Sequence, residues 1–565
     1  MPNATNEKLI AKILSIGAAF TTIFIVSGSV TDPVNAPKLV VIGVTGCAAI
    51  GVLLSAGIRA YLKLNKMAVL LGSLFLLSMI LAVFASKSPV SQNFYGTYGR
   101  NNGFITYLFL LAIFLSALTL NNIKSFDSVT KALLVAGLVN ISYCLWVVMF
   151  GDFIGWSNPY GNILGTLGNP NFIGSFLGIF FTSYLAFALG KSASKTLRYS
   201  LIIVLPVTAF EIYKSHAIQG RVVAVLGLGI LGFLLIRARF GKVVTLVYLL
   251  AGTIFSVLSL LGALQIGPLT RYIYKTSVSL RGQYWLAGWN TGNNHPLTGV
   301  GMDSFGDWYR RSRDIHALEL PGVNTVVNAA HNVPMDMFAF GGWPLLLTYL
   351  ALMGLAGAAA VRMIIRVRTF DPILAVLLTA WAGYQLQSII SINQIGLAVW
   401  GWLLSGALIA YEKSTRLPVE ISSNEAKRVS NSKNAWGQPP ILILAGTLSG
   451  IIGLILALPP MVSDAKWRSA QLARTVVAIE GTMKPSFYNL QNSSKYLNNI
   501  QTLEGSSLFD LSHKYALEAV AWNPEAFELW KVLYLVKNST VEEKALALQN
   551  MKRLDPLNPD VTTIQ

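Results

Sequence analysis

KVVTLVYLLAGTIFSVLSLLGALQI, Lys242–Ile266, carries its only charge at its first position. A hydrocarbon core about 30 Å thick is crossed by about 20 apolar residues in a helix. The run is continuous, without the in–out alternation of a barrel strand, so it reads as a transmembrane helix. MAVLLGSLFLLSMILAVFA, Met67–Ala85, repeats the pattern with no charge at all. About thirteen such runs follow one another between Ile10 and Pro460. Composition agrees: 53% of the 565 residues are hydrophobic and 12% charged, and the mean hydropathy is +0.56, far from the balance of soluble domains. The expected fold class is all-α, a polytopic membrane helical bundle.

The formal net charge of +18 raises nucleic acid as a partner, and the placement of the cations excludes it. Arg59/Lys63/Lys66, Lys124/Lys131, Lys191/Lys195/Arg198, Arg237/Arg239/Lys242, Arg362/Arg366/Arg368 and Lys413/Arg416/Lys427/Arg428 occupy every second connection. That is the positive-inside pattern, and it makes those loops cytoplasmic. The first apolar run lacks the layout of a cleavable signal and reads as a retained span. With the N-terminus inside and an odd number of spans, everything after Pro460 is expected outside the cytoplasm. Cys47 and Cys144 fall within apolar runs, as packing residues do.

The external side is then rich in unusual segments: Ser86–Gly103, Gly151–Gly174, Tyr213–Arg221 and the stretch 267–331. The last is about 65 residues long, far beyond an ordinary connection. Its dense aromatics ("QYWLAGWN", "FGDWYRR") and its turn-rich centre "HPLTGVGMDSFGDW" predict an ordered cap on the bundle. Arginines on this side run against the charge bias. Arg100, Arg221 and Arg281 sit at outer ends of apolar runs with glycine beside them ("YGRNNG", "QGRV", "RGQYW"). A planar five-donor guanidinium matches phosphate oxygens, so a converging set suits a diphosphate; the alternative is snorkelling to lipid headgroups. For Arg310, Arg311 and Arg313 we expect the latter, as an amphipathic helix at the headgroups.

His331 precedes the long apolar run that starts at Val333. An imidazole accepts a proton near neutral pH, and at the mouth of a span it can reach a substrate hydroxyl, or simply bond a backbone group. Glu211, near the outer end of "LIIVLPVTAFEIYK", is a rival base, because carboxylates inside spans are functional by default; its alternative is an ion pair with Lys214 at i+3. No His/Cys/carboxylate spacing suggests a metal site, and neither a metal nor another cofactor is expected.

After Met461 the chain becomes polar and charged. "SHKYALEAVAWNPEAFELWKVLYL" and "EEKALALQNMKRLDPLNPD" repeat an A-L…P pattern whose prolines, Pro524 and Pro556, lie near the period of about 34 residues of tetratricopeptide repeats. The expected domains are therefore a transmembrane domain over 1–460, capped by loop 267–331, and an extracytoplasmic helical-repeat domain over 461–565. The tail is too short to stand as a repeat array and is expected to lean on the long loop or on a protein partner. Ser414–Pro440 reads as a flexible cytoplasmic linker.

In order along the chain, "YGTYGRNNGFITYL", "GTLGNPNFIGSFL", "SHAIQGRVVAVLGL", "RGQYWLAGWNTGNNHPLTGVGMDSF" and "AHNVPMDMFAFGGWPLLL" resemble the O-antigen ligase and Wzy-type polymerase superfamily, over about Ser86 to Gly406. Gly220 departs from the family, which has Ser or Thr before the arginine. The resemblance implies a metal-independent membrane glycosyltransferase of the bacterial inner membrane, with its donor a polyprenyl-diphosphate-linked glycan on the external face. It implies Arg221 and Arg281 as diphosphate binders, Arg100 as a supporting cation and His331 as the catalytic residue at the acceptor hydroxyl. Asn169, Asn171 and Asn332 either orient sugar hydroxyls or serve as caps and Asx turns. The acceptor, a lipid, another glycan or a protein, separates ligase from polymerase from protein O-oligosaccharyltransferase, and motifs do not choose among them. A lipid-linked glycan transporter needs mid-span polar groups and internal repeats, which are sparse here. A scaffold that binds a partner through its tail would leave the arginine and histidine loops idle.

Overall fold

A computed structural model describes residues 4–55, 61–62, 65–156, 158–416 and 439–564. Arg59, Lys63, Lys427, Arg428 and most of the Ser414–Pro440 connection lie outside the described residues. The described chain is helical, with no strand and a single isolated bridge between Ser486 and Asn489. The membrane-domain helices are α1 (Ala4–Ile23), α2 (Asn35–Ser55), α3 (Lys66–Ala85), α4 (Val90–Tyr95), α5 (Phe104–Ala117), α6 (Ile123–Phe150), α7 (Pro170–Ala188), α8 (Lys195–Lys214), α9 (Ile218–Arg239) and α10 (Lys242–Ala263). The cap contributes α11 (Thr276–Asn294) and α12 (Phe305–Ser312). Long helices then resume with α13 (Val333–Arg366), α14 (Pro372–Ile390), α15 (Ile395–Ser414) and α16 (Pro439–Ala473). The tail holds α17 (Val476–Met483), α18 (Ser493–Gly505), α19 (Phe509–Trp522), α20 (Phe527–Leu535) and α21 (Val541–Leu554).

Eleven of the described helices are long and apolar enough to cross a membrane: α2, α3, α6–α10 and α13–α16. The expectation of about thirteen also counts α1, which carries Glu7, Lys8 and Lys12, and α5, which is apolar but short. Contacts between helix ends define two faces. On one, the Glu7 carboxylate accepts from the Asn121 and Asn122 amides at 2.8 and 2.6 Å and from Ser125. There too Tyr411 donates to Asp371, and Arg362, Arg366 and Arg416 surround the buried Glu412 at 3.6, 3.1 and 2.6 Å. On the other, Asp464 of α16 accepts from the Thr31 and Asp32 amides and the Tyr98 hydroxyl, each at 2.8 Å. The cationic connections gather on the first face.

The centre of the bundle is α15, whose apolar stretch is entirely buried. Trp402 packs there against Phe75, Tyr107, Phe114 and Tyr349 at ring distances of 5.5–6.3 Å. One cation is buried in the bundle for a structural reason. The Lys38 ammonium donates to the carbonyls of Thr21, Thr22 and Phe24 at 3.0, 2.7 and 2.9 Å, satisfying the orphan carbonyls at the end of α1.

α13 is broken in its first half. Gly341 (φ −140°) and Gly342 (φ +64°) leave the helical region, and Pro344 follows. The cap segment HPLTGVG runs into the gap: the Val300 and Gly301 amides donate to the Ala339 and Phe340 carbonyls, and the Trp343 amide donates to Pro296. A Cβ on Gly299 would lie 2.2 Å from the Phe340 carbonyl carbon, and one on Gly342 2.2 Å from the Pro296 oxygen. The glycines of "GVG" and "GGW" are thus two halves of one close crossing.

α16 continues through Pro459 and Pro460 to Ala473, so the expected boundary at 460/461 falls inside this helix and the tail's own helices begin at Val476. The tail closes a separate apolar cluster around Tyr496, Leu503, Phe527, Leu529 and Trp530. It leans on the cap, and this corrects the headgroup reading of the α12 arginines. Arg310 pairs with Glu528 at 2.6 Å and Asp555 at 2.9 Å, Arg313 with Asp555 at 2.7 Å, and Arg311 with Glu525. Arg310 and Arg313 are buried, which a headgroup contact would not require.

Candidate active site

On the second face, the loop 96–103, the cap and the start of α13 meet. Asn332 caps α13 by accepting from the Met335 amide at 3.0 Å, with proline in the first turn. The Asp336 carboxylate, one turn inside, reaches back to the Ala330 amide at 2.6 Å. These two bonds brace the residue between them, His331, at φ +56°, a left-handed conformation that persists only when its surroundings impose it.

The His331 ring lies 5.2 Å from that of Tyr284, and its Nδ1 is 3.1 Å from the Ala329 carbonyl. That bond makes Nδ1 the protonated nitrogen and leaves Nε2 with its lone pair. Burial, with the charges of Arg100 and Arg281 adding to it, pulls the imidazole pKa down to about 4 against the raising effect of Ala329. At neutral pH the ring is an uncharged acceptor.

Arg100 is a half-buried cation whose pKa burial lowers, while Asp303 and Asp336 oppose the shift. Asp303 folds the loop around itself: its carboxylate accepts from the Thr97 and Asn102 amides at 2.8 and 3.1 Å, and its carbonyl accepts from the Thr97 hydroxyl at 2.6 Å. Burial raises the Asp303 pKa to about 7, against those amides and Arg100. Asn102 and Asn393 exchange bonds at 2.8 and 3.2 Å, and Asn393 also donates to Tyr107, which moors the loop to the bundle.

Arg281, on α11, donates through Nε to the Ile390 carbonyl at the end of α14 (2.8 Å) and through a terminal nitrogen to Ser277 (3.0 Å). The Gln219 amide reaches the same Ile390 carbonyl at 3.4 Å, so the first turn of α9 is tied to the Arg281 position. Arg221 stands in that turn, exposed and without a hydrogen bond or ion pair among the described residues. Gly220 is packed on Gly174 of α7, where a Cβ would meet the Gly174 carbonyl oxygen at 2.5 Å; the departure from Ser or Thr follows from that crossing.

The remaining candidates fall out as follows. Asn169 caps α7 through the Asn171 amide (2.9 Å) and donates to Tyr160 at 3.3 Å, and Tyr160 is within electrostatic reach of Arg100. The Asn171 side chain makes no hydrogen bond among the described residues. Glu211 is fully buried, with both carboxylate oxygens unpaired. Lys214 does not pair with it and lies over the Phe210 ring instead. Among the described residues no contact joins Glu211 to His331, Arg100 or Arg281. Asp303, Asp336 and Tyr284 were missed by sequence reasoning. Asp336 had a signal, a carboxylate in the first turn of an apolar span; Asp303 and Tyr284 had none beyond their place in the cap.

No curated protein matches the chain. Residues 212–350 match the family model described as O-antigen ligase (Wzy_C). The match takes in Arg221, Arg281 and His331, and three of the five resembling motifs; "YGTYGRNNGFITYL" and "GTLGNPNFIGSFL" lie before it. This polytopic helical membrane protein therefore carries, at residues 212–350, an O-antigen ligase domain of the O-antigen ligase/Wzy superfamily.

Proposed function

We propose that the chain transfers a glycan from a polyprenyl diphosphate to an acceptor hydroxyl at the outer face of the bacterial cytoplasmic membrane. The observation that carries this reading is the His331 ring, held at Nδ1 by the Ala329 carbonyl with no hydrogen bond at Nε2 among the described residues, in the field of Arg100 and Arg281. The acceptor oxygen attacks the anomeric carbon and its proton passes to His331 Nε2. The anomeric carbon–oxygen bond to phosphate breaks, and the diphosphate leaves with the electron pair, stabilised by Arg281 and Arg221 with Arg100 in support. Asn169, Asn171 and Asn332 are the candidates for orienting sugar hydroxyls, and Glu211 is the second candidate base. The cationic loops on the opposite face support the orientation. The tail, read as a tetratricopeptide-like docking domain, favours a ligase or a protein-directed transferase over a polymerase, because it adds a surface for an acceptor.

The test is purified protein given a synthetic polyprenyl-diphosphate oligosaccharide, following released lipid diphosphate and product size, with His331→Ala alongside. A single adduct on an added acceptor supports ligation, and a ladder supports polymerisation. Equal turnover by wild type and His331→Ala removes His331 from the mechanism, and no release by wild type sinks the transferase reading.

A further inference from the structure

Between the tail and the cap lies a cavity of about 220 Å³, below the ~300–1,000 Å³ of sites for drug-sized ligands and of a size for a sugar ring or two. Its charged lining is already engaged: Asp464 holds the Thr31 and Asp32 amides, Asp307 accepts from Gln92 and Asn523, and Glu528 pairs with Arg310. Part of its neutral lining is not. Asn101, only 5% exposed, makes no side-chain hydrogen bond among the described residues, and neither does the Asn328 amide. Trp467 Nε1 and Gln491 Oε1 are buried without partners. Tyr98 and Trp467 pack edge to face at 5.2 Å in the same wall. Unpaired amides beside aromatic rings, with the charged side chains already hydrogen-bonded to the protein's own groups, suit a ligand of many hydroxyls and little charge.

The cavity is next to the catalytic group without being part of it. Asn101 follows Arg100 in the chain, and Asn328 precedes His331 by three residues. Nothing from α9, α11 or α14, which position Arg221 and Arg281, lines it.

We propose that this cavity is a subsite for neutral sugar residues, held by Asn101, Asn328 and the Tyr98–Trp467 wall. The inference rests on the glycan-transfer reading, and binding tests it without turnover. Full-length protein in lipid nanodiscs is titrated with the methyl glycosides of glucose, galactose and N-acetylglucosamine and their β-linked disaccharides, read by saturation-transfer NMR. Asn101→Gly keeps the positive φ of 55° and removes the amide; Ser91→Trp fills the cavity mouth from α4. At least one probe binds saturably to wild type, and each variant weakens it about tenfold, the scale of one or two good hydrogen bonds, with the thermal midpoint kept. Binding by none of the probes, or binding untouched in both variants, overturns the subsite. In the transfer assay, a raised acceptor KM in the variants assigns the cavity to the acceptor, and a raised donor KM assigns it to the distal sugars of the donor. Sugar binding without donor cleavage would sink the transferase reading alone; transfer with both KM values unchanged in the variants would sink the subsite alone.

Discussion

His331 sits at the end of a chain of constraints, and its chemistry is testable by pH. In the proposed mechanism its neutral form is the active one, and the folded pKa is about 4 against about 6.5 in a free chain. The acid limb of kcat/KM should therefore fall near pH 4, leaving the rate flat between pH 5.5 and 7; a limb near 6.5 would mean that the working base is not this ring in this environment. Asp303 has the opposite sign. Its folded pKa is raised to about 7, so its unfavourable contribution to stability grows as pH rises from about 4 through 7. Asp303→Asn keeps an acceptor for the Thr97 and Asn102 amides and should flatten the melting temperature across that window, as scanning calorimetry in detergent will show. For the arginines, Ala at Arg221 or Arg281 should lower donor turnover by about 10²-fold or more, the scale of losing a charged donor to a developing anion. Arg368, exposed and unpaired among the described residues, is the control. Arg366 is not, because it helps hold the buried Glu412.

At the scale of elements, the crossing of the cap over α13 and the docking of α12 on the tail carry the arrangement. Gly342→Ala puts a Cβ into the Pro296 carbonyl at a φ of +64°, a strain of about 1–3 kcal/mol before the clash is counted. The expected result is a lowered melting temperature together with lost turnover. Arg313→Ala leaves Asp555, whose side chain is fully buried, with Arg310 as its remaining cation, and the loss approaches the cost of breaking a buried pair from one side, about 3–5 kcal/mol. Limited proteolysis should then release the tail, whereas the paired change Arg313→Met with Asp555→Leu should keep it docked. How much of this was legible depended on range. The spans, the ordered cap and the Asn332 cap at Val333 follow from composition, aromatics and local capping chemistry, all of which act within a few residues. The meeting of Arg100 with Asp303 and Asp336, and of Arg310 with Asp555, joins residues some two hundred positions apart, and neither periodicity nor spacing encodes it. The α12 arginines show the difference: their helix is as amphipathic as expected, but the acids that cover them come from the far end of the chain.

For the whole molecule, the two faces make a statement about sidedness. Lys66, Lys124, Lys191 and Arg368 share one face, and His331, Asp464 and the tail share the other. With Cys47 and Cys144 replaced, a membrane-impermeant maleimide applied to intact cells should label Ser506→Cys and leave Arg368→Cys unlabelled; the reverse pattern would invert the proposed orientation. The spans were readable from hydropathy, eleven of the about thirteen expected being long and apolar enough among the described residues, but their burial was not. α15 is enclosed on all sides and α10 is exposed along most of its length, yet both are apolar runs, because lipid and protein interior select the same side chains.

The joining of Arg310, Arg311 and Arg313 to Glu525, Glu528 and Asp555 has a consequence for biogenesis. Those carboxylates emerge from the ribosome only after the final span, so the cap is made hundreds of residues before the groups that neutralise it. Until then its guanidinium groups must stay hydrated. A chain halted at Ala473 would thus have all its described spans and still leave the arginines of α12 without their acids, so docking of the tail is expected to come last in folding.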